Sequence, residues 1–293
     1  MVFYSEVSSL HTPFAVENIK EIALKLFSLD EKKKCICNAK HEVCLQCSKC
    51  RATLKDQIVF DYQNISQCID HTLLRADASQ DDIYRLCMEA NIYNFKSVCV
   101  NPYFISFAKK NVKSAEICTV IGFPLGANTT EVKIYETQKA IELGATEIDM
   151  VVSNYSIKKV AFCMVSQHKK RVAGSINEIL YEISKIAELC SIQNIPLKVI
   201  IETCLLTKEH IIIASLISKK AGADFVKTST GFSTKGAEIS DVLLIRDVVG
   251  LKMGVKASGG IKTKADAISM LRAGANRLGT SNSVGILDIA NIK

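Results

Sequence analysis

Three residues near the ends of short apolar runs are chemically out of place: Asp149 in "EIDMVV", Lys227 in "FVKTSTG" and Lys256 in "GVKASGG". Lysine is costly to bury, and runs of this texture read as buried strands. If the two lysine runs are neighbouring strands, they lie about 4.8 Å apart and two ammonium groups repel at close range. Loss of one proton relieves that repulsion, because a like charge and desolvation both lower a lysine pKa. A neutral amine attacks carbonyls and forms a Schiff base. Asp149 can then pair with the remaining ammonium and pass protons during the later stages. A single strand lysine would be read as a side chain snorkelling at a rim. Lys198, at the start of "LKVIIET", fits that description. Two lysines with an aspartate at the carboxyl ends of strands favour catalysis instead.

Those residues must be held by the elements around them. From about residue 64 onward, eight short apolar runs alternate with helix-like segments. The runs are 66–74, 95–100, 115–123, 147–152, 197–203, 224–230, 254–259 and 277–281. Several of the intervening helices end on glycine, as a left-handed C-cap requires. Eight strands and eight crossovers predict an α/β fold, a closed parallel (β/α)8 TIM barrel. A doubly wound open sheet is the alternative, but no G-x-G-x-x-G follows the first strand. An internal echo supports the barrel: "LGATEIDM", "AGADFVKT" and "AGANRLGT" each join a helix to a strand at Gly-Ala. Five residues past each glycine stand Asp149, Lys227 and Gly279. These fall on the fourth, sixth and eighth strands, so they are expected in one interior layer, with Gly279 leaving an opening.

An anion site is legible beyond the lysine strands. "SGGIKT" follows strand seven and "GTSNS" leaves strand eight, the loops where such barrels hold phosphate. Glycine admits close backbone approach, and a helix N-terminus adds partial positive charge. Other polar positions are less decisive. Asp70 in "IDHTLL" is expected to meet substrate or order water, and His71 beside it reads as a hydrogen-bonded structural histidine. Cys99 and Asn101 in "SVCVNP" point near the site, though a small buried thiol is the ordinary reading of Cys99. Glu202 is either a charge partner for Lys198 or a polar site residue.

The motifs in this order resemble the deoxyribose-phosphate aldolase family, class I aldolases on a TIM barrel, from about residue 66 to 288. The resemblance rests on "IDHTLLRADAS", "SVCVNPYF", "TVIGFPLGANTTEVK", "EIDMVV", "LKVIIET", "AGADFVKTSTGF", "GVKASGGIKT" and "RLGTS". It implies cleavage of 2-deoxy-D-ribose 5-phosphate to D-glyceraldehyde 3-phosphate and acetaldehyde, in deoxyribonucleoside catabolism, with no metal or organic cofactor in catalysis. It assigns Lys227 to the Schiff base, Lys256 to perturbing that amine and relaying protons, and Asp149 to proton transfer. It assigns the substrate phosphate to Gly231, Gly259, Gly260, Gly279 and Ser281; Asp70 and Cys99 are expected in the substrate site from their own strand-end positions. The chain departs from the family pattern at Arg75 and Asn282. It departs further in "NYSIKKVAFCMVSQHKKRVAGSINE" (154–178), where strands four and five are separated by more chain than the family uses. A different Schiff-base aldolase for another sugar phosphate is the nearest alternative function.

The remainder is of another character. The first 64 residues are expected to form a small N-terminal extension to the barrel of residues 65–293. "CICNAKHEVCLQCSKC" packs Cys35, Cys37, Cys44, Cys47 and Cys50 around His41. Thiolates two or three residues apart grip one tetrahedral ion, so a structural zinc is the expectation there. An extension whose cysteines hold no metal is the alternative. With such a metal site, a binding protein on a barrel scaffold becomes the rival to an enzyme.

Bulk composition bounds these readings. The chain has 293 residues, 48% hydrophobic and 23% charged, enough to bury a large core. A net charge of +7 comes without a dense basic tract carrying interleaved aromatics, so an anionic small molecule is expected and nucleic acid is not. No run approaches the ~18 apolar residues a membrane helix needs, so no membrane partner is expected. The first twenty residues lack the charged and apolar regions of a signal peptide. Twelve cysteines are then expected in a reducing cytoplasm. Barrels of this kind often pair, which points to a homodimer.

Overall fold

The structure, a computed structural model, describes residues 62–165 and 169–287 together with Glu21, Ile22 and Leu26. The cysteine cluster from Cys35 to Cys50 lies outside the described residues.

Each expected apolar run contains a strand: β1 Ile69–Leu73, β2 Ser97–Val100, β3 Glu116–Ile121, β4 Glu147–Val151, β5 Leu197–Ile200, β6 Phe225–Lys227, β7 Gly254–Ser258 and β8 Arg277–Thr280. All pair in parallel with their sequence neighbours, and β8 closes on β1. Between them run α1 Gln80–Tyr93, α2 Ile105–Asn111, α3 Thr130–Leu143, α4 Asn154–Val165, α5 Lys169–Ile192, α6 Lys208–Lys220, α7 Ile239–Val249 and α8 Lys264–Arg272, followed by a single turn, α9 Ser283–Ile286. This is the predicted (β/α)8 barrel. The strands are short because interior and helix-facing positions are both buried only along the stave; β2, β4, β5 and β8 have no residue open to solvent.

The helix-to-strand joints follow the local chemistry read from the echo. Gly144 caps α3 at φ +106°, and Gly222 and Gly274 follow α6 and α8 at +93° and +106°. These are left-handed values that a side chain disfavours. At the other helix ends, Thr207 and Thr263 accept from the amides of His210 and Asp266 and start α6 and α8. Of the departing segment, residues 154–165 form α4 and 169–178 the first part of α5, so two helices lie between β4 and β5 where the other crossovers mostly use one. Ile157 and Val160 of α4 and Ile179, Ile183 and Ile186 of α5 are buried, which packs the pair onto the barrel.

Alternation at period two decides what fills the barrel. Outward residues such as Val98, Ile148, Met150, Val199, Val226, Val255 and Leu278 are apolar and buried under the helices. Inward positions on β4 to β8 carry charge instead.

Candidate active site

Register brings the charged side chains together. Asp149 pairs directly with Lys198, Lys227 with Lys256, and Lys256 with Arg277. Asp70 lies between Ser97 of β2 and Gly279 of β8. One carboxylate is the hub. Asp149 Oδ2 accepts from Lys227 Nζ at 2.7 Å and from Lys256 Nζ at 2.7 Å, while Oδ1 accepts from Lys198 Nζ at 2.8 Å. Asp149, Lys198 and Lys256 are wholly buried, and Lys227 is 3% exposed. The juxtaposition of Asp149, Lys227 and Lys256 expected from the sequence is therefore what the fold builds.

Lys198 corrects the reading of a rim lysine. It lies inside the barrel, because position 198 shares the inward phase of β5 and faces Asp149 across the register. Its second partner is Glu147 Oε2 at 2.7 Å, not Glu202. Glu202 instead turns to the loop after β6, where it accepts from the Thr230 amide at 3.2 Å and from its hydroxyl.

The contacts continue around the interior and close on themselves. Glu147 accepts from Arg277 Nη1 and Nη2 at 3.0 and 2.8 Å, and Arg277 Nε donates to Asp70 Oδ1 at 2.9 Å. Asp70 pairs with Lys256, which returns to Asp149. Asp149, Lys198, Glu147, Arg277, Asp70 and Lys256 thus form a ring of alternating charge, three carboxylates against three cations. Lys227 hangs from the ring by its one bond to Asp149. By residue type the seven groups are four basic and three acidic, and an unmatched charge in a buried interior is expensive.

The ring fixes the charge of four of its members. Burial pushes the Asp149 carboxyl up, but the ammonium groups of Lys198, Lys227 and Lys256 outweigh it and hold it well below the usual carboxylate range. Burial likewise opposes charge on Asp70, and Lys256 and Arg277 overcome it and depress it. For Lys256 and Lys198 burial favours the neutral amine, and the carboxylates, Asp149 foremost, reverse this and raise both above the ordinary lysine value. Simple repulsion between two lysines thus omits the carboxylates that pin Lys256 as an ammonium.

The other side of the interior is apolar. Cys99 and Cys118 face each other in register on β2 and β3, and with Leu74 and Val120 they form a small buried cluster against which Phe123 packs. A hydrogen bond with Cys118 draws the Cys99 thiol below its ordinary value, against the effect of burial. Phe123 also meets Phe232 edge-on, with centroids 5.2 Å apart. His71 points the opposite way from Asp70: its Nε2 lies 2.6 Å from Glu89 Oε2 of α1, as a structural histidine would. Asn101 donates to the Leu74 carbonyl at 3.2 Å.

The expected phosphate residues gather where the loops after β6, β7 and β8 meet. Gly231, Gly259 and Gly260 all have positive φ, +85°, +82° and +78°. At Gly259 the requirement is double, since a Cβ there would lie 2.9 Å from Gly236 Cα and 3.4 Å from Gly231 Cα. Asn282, where the family pattern differs, ties the β8 loop to the β7 loop through its amide on the Lys262 carbonyl at 2.7 Å. Ser281 beside it is exposed. Gly279 does not leave an opening: a Cβ there would lie 2.9 Å from Ser258 Cβ and 3.2 Å from Lys256 Cε, so its space is taken by the lysine stem. Glu147, Arg277 and Cys118 were not singled out in the sequence. The first two sit two residues before Asp149 and Gly279, so the period of a strand would have pointed them inward.

The comparisons agree with this architecture. The DeoC/LacD family aldolase model matches residues 65–287. A deoxyribose-phosphate aldolase of Carboxydothermus hydrogenoformans is 51% identical over 227 residues, spanning 76% of this chain and 93% of that one. Deoxyribose-phosphate aldolase 1 of Vibrio vulnificus is 52% identical over 221 residues, 75% of this chain and 94% of its own. Among solved structures, the deoxyribose phosphate aldolase of Aeropyrum pernix superposes with a TM-score of 0.67 at 31% identity, covering 85% of this chain and 100% of that one. With residues 65–287 matched and half the aligned positions identical, the chain belongs to the DeoC/LacD family of aldolases.

Proposed function

We propose that this chain cleaves 2-deoxy-D-ribose 5-phosphate to D-glyceraldehyde 3-phosphate and acetaldehyde, by a Schiff base on Lys227. The observation that carries the reading is the surplus charge. Lys198, Lys256 and Arg277 each bridge two carboxylates, whereas Lys227 contacts one. A proton is lost at least cost where fewest ion pairs break, and that amine is the nucleophile.

In the forward reaction, neutral Lys227 attacks the C1 aldehyde of the open-chain sugar. Lys256 and Asp149 supply and accept the protons as carbinolamine loses water to the iminium. Removal of the C3 hydroxyl proton breaks the C2–C3 bond, releasing glyceraldehyde 3-phosphate and leaving a two-carbon enamine whose electrons the iminium has accepted. Protonation at C2 and hydrolysis return acetaldehyde and the free amine. Cys99, on the apolar wall beside Asp149, lines the path of the small aldehyde. Gly231, Gly259, Gly260, Gly279 and Ser281 supply the phosphate contacts, and Asp70 acts through Lys256. Support for the phosphate role is the close approach of the glycine-bearing loops that follow the Lys227 and Lys256 strands, in a family whose relatives are named for a sugar phosphate. No metal or organic cofactor enters this chemistry.

The reading includes a division of the chain near residue 64, supported by the family match that begins at 65. It includes a cytoplasmic, deoxyribonucleoside-degrading setting, supported by the free thiols Cys87, Cys99, Cys118 and Cys190. No helix among the described residues is long and apolar enough to cross a membrane. A homodimer is the proposed assembly; the Aeropyrum pernix relative is described as tetrameric, and sedimentation separates the two. A structural zinc on Cys35, Cys37, Cys44, Cys47 and Cys50 is proposed from their spacing; reduced thiols with less than about one zinc per purified chain would overturn it.

The test of the catalytic reading is covalent. Acetaldehyde and a borohydride reductant should add a two-carbon ethyl group to Lys227, found by peptide mass mapping. Labelling elsewhere, or none, would sink the mechanism. Faster cleavage of another sugar phosphate would keep the mechanism and replace the substrate.

A further inference from the structure

We propose that three ring members that make no contact with Lys227, namely Glu147, Lys198 and Arg277, set the proton occupancy of that amine by fixing the net charge of the barrel interior. The proposal rests on the Schiff-base reading of Lys227 and adds to it residues that never meet the substrate.

The argument is one of connectivity. Glu147 and Arg277 reach Lys227 only through other ring members: Lys198 and Asp149 on one side, Asp70 and Lys256 on the other. Both face a cavity of about 790 Å³ at the amino ends of the strands, opposite the phosphate loops. Neither is placed to touch a ligand at the other mouth. Yet their charges count at Lys227, because the groups between them and that amine (Lys198, Asp149, Lys256 and Asp70) are buried, and Coulomb interactions weaken slowly through buried surroundings. The closed ring is neutral as built, so any single neutralisation within it changes the charge that Lys227 experiences by one unit, with a sign given by the residue removed.

The groups around Lys227 are known from every side. Asp149 of β4 and Lys256 of β7 touch or adjoin it, and Lys198 of β5 shares the same carboxylate. The thiols of Cys99 on β2 and Cys118 on β3 lie across the interior, within 4.8 Å of an Asp149 oxygen. Asp70 of β1 and Arg277 of β8 complete the circuit. Glu202 sits above β6 but is engaged with Thr230.

Signs follow directly. Glu147→Gln removes a negative charge, so the neutral form of Lys227 is favoured and the acid limb of its reactivity moves to lower pH. Lys198→Met removes a positive charge, so the ammonium is favoured and the limb moves to higher pH. Arg277→Gln moves it the same way as Lys198→Met. Each shift is on the order of one pH unit, less for the cavity-facing pair because water there screens them. Combining Glu147→Gln with Lys198→Met returns the limb near its starting position.

The experiment uses the full chain and reads the amine itself. Initial rates of acetaldehyde adduct formation at Lys227, trapped with cyanoborohydride between about pH 5 and 9, are measured by mass for wild type and variants. Opposite shifts for the Glu147 and Lys198 variants, cancelled in the pair, are the expected result. A purely structural role would lower rates without moving the midpoint, or move every variant in one direction, and either outcome overturns the proposal. No adduct at Lys227 in the wild type would overturn the Schiff-base reading instead. Arg277→Gln stands in for Lys198→Met should that variant fail to fold, because both remove a positive charge.

Discussion

Lys133 on α3 and the lysines inside the barrel are both buried, and the two regions solve the problem differently. Outside the strands, Lys133 of α3 is wholly buried and meets one carboxylate, Glu182 of α5, at 3.0 Å, with the Val151 carbonyl at 2.9 Å. There one lysine meets one carboxylate in an ion pair, and the pair joins α3, α5 and the end of β4. Inside, Asp149 serves three lysines, and the cluster holds four cations against three anions. A matched pair has no reason to exchange a proton. The odd count leaves Lys227 with a single ion pair while every other cation of the cluster bridges two carboxylates.

The contrast can be broken most severely at the amine itself. Lys227→Met removes the nucleophile and balances the interior charge in one step; turnover should fall by on the order of 10³-fold or more while the thermal midpoint holds or rises. Lys256→Leu comes next. It takes a proton relay and a positive charge together, so kcat should drop roughly 10²-fold and the acid limb of the rate profile should move to higher pH. An unmoved profile would mean that the two lysines are not coupled. Lys133→Met sharpens the other side of the comparison. Removing one partner of a buried pair should cost about 3 kcal/mol, or roughly 6–12 °C in melting temperature, with kcat of the folded enzyme nearly unchanged. A large loss of kcat at full stability would erase the distinction between the regions. The smallest effect is the response of stability to acid. Asp70 and Asp149 are depressed in the folded state, so their contribution is complete above the ordinary carboxylate value and is lost as pH falls below about 4. Denaturant midpoints should stay level between pH 5 and 7 in respect of these groups and decline only below that.

Much of the site was readable before any coordinates. Lys227, Lys256 and Asp149 stood out because charged residues at the ends of apolar runs contradict the pattern around them. The helix-to-strand echo placed them in alternate strands. The ring was not readable. Lys198 looked like a rim residue because its distance from the mouth, taken alone, favoured that; only the register shows it opposite Asp149. Arg277 and Glu147 were hidden among ordinary polar residues at strand starts, where surface charge is the common case. Gly279 was read as a gap, though a neighbouring strand's lysine fills it.

Sequence by itself determined the barrel, the period that turns Asp149, Lys227 and Lys256 inward, and the glycines that let the loops after β6 and β7 approach each other. These are local properties, set by strand alternation, cap chemistry and backbone freedom. Only the tertiary structure decided which charges cancel. Seven ionisable groups from β1, β4, β5, β6, β7 and β8 meet because the strands close into a cylinder, and the balance among them depends on contacts spanning as many as 207 positions of chain. Charge neutrality is a sum over space, and no window of sequence contains all its terms.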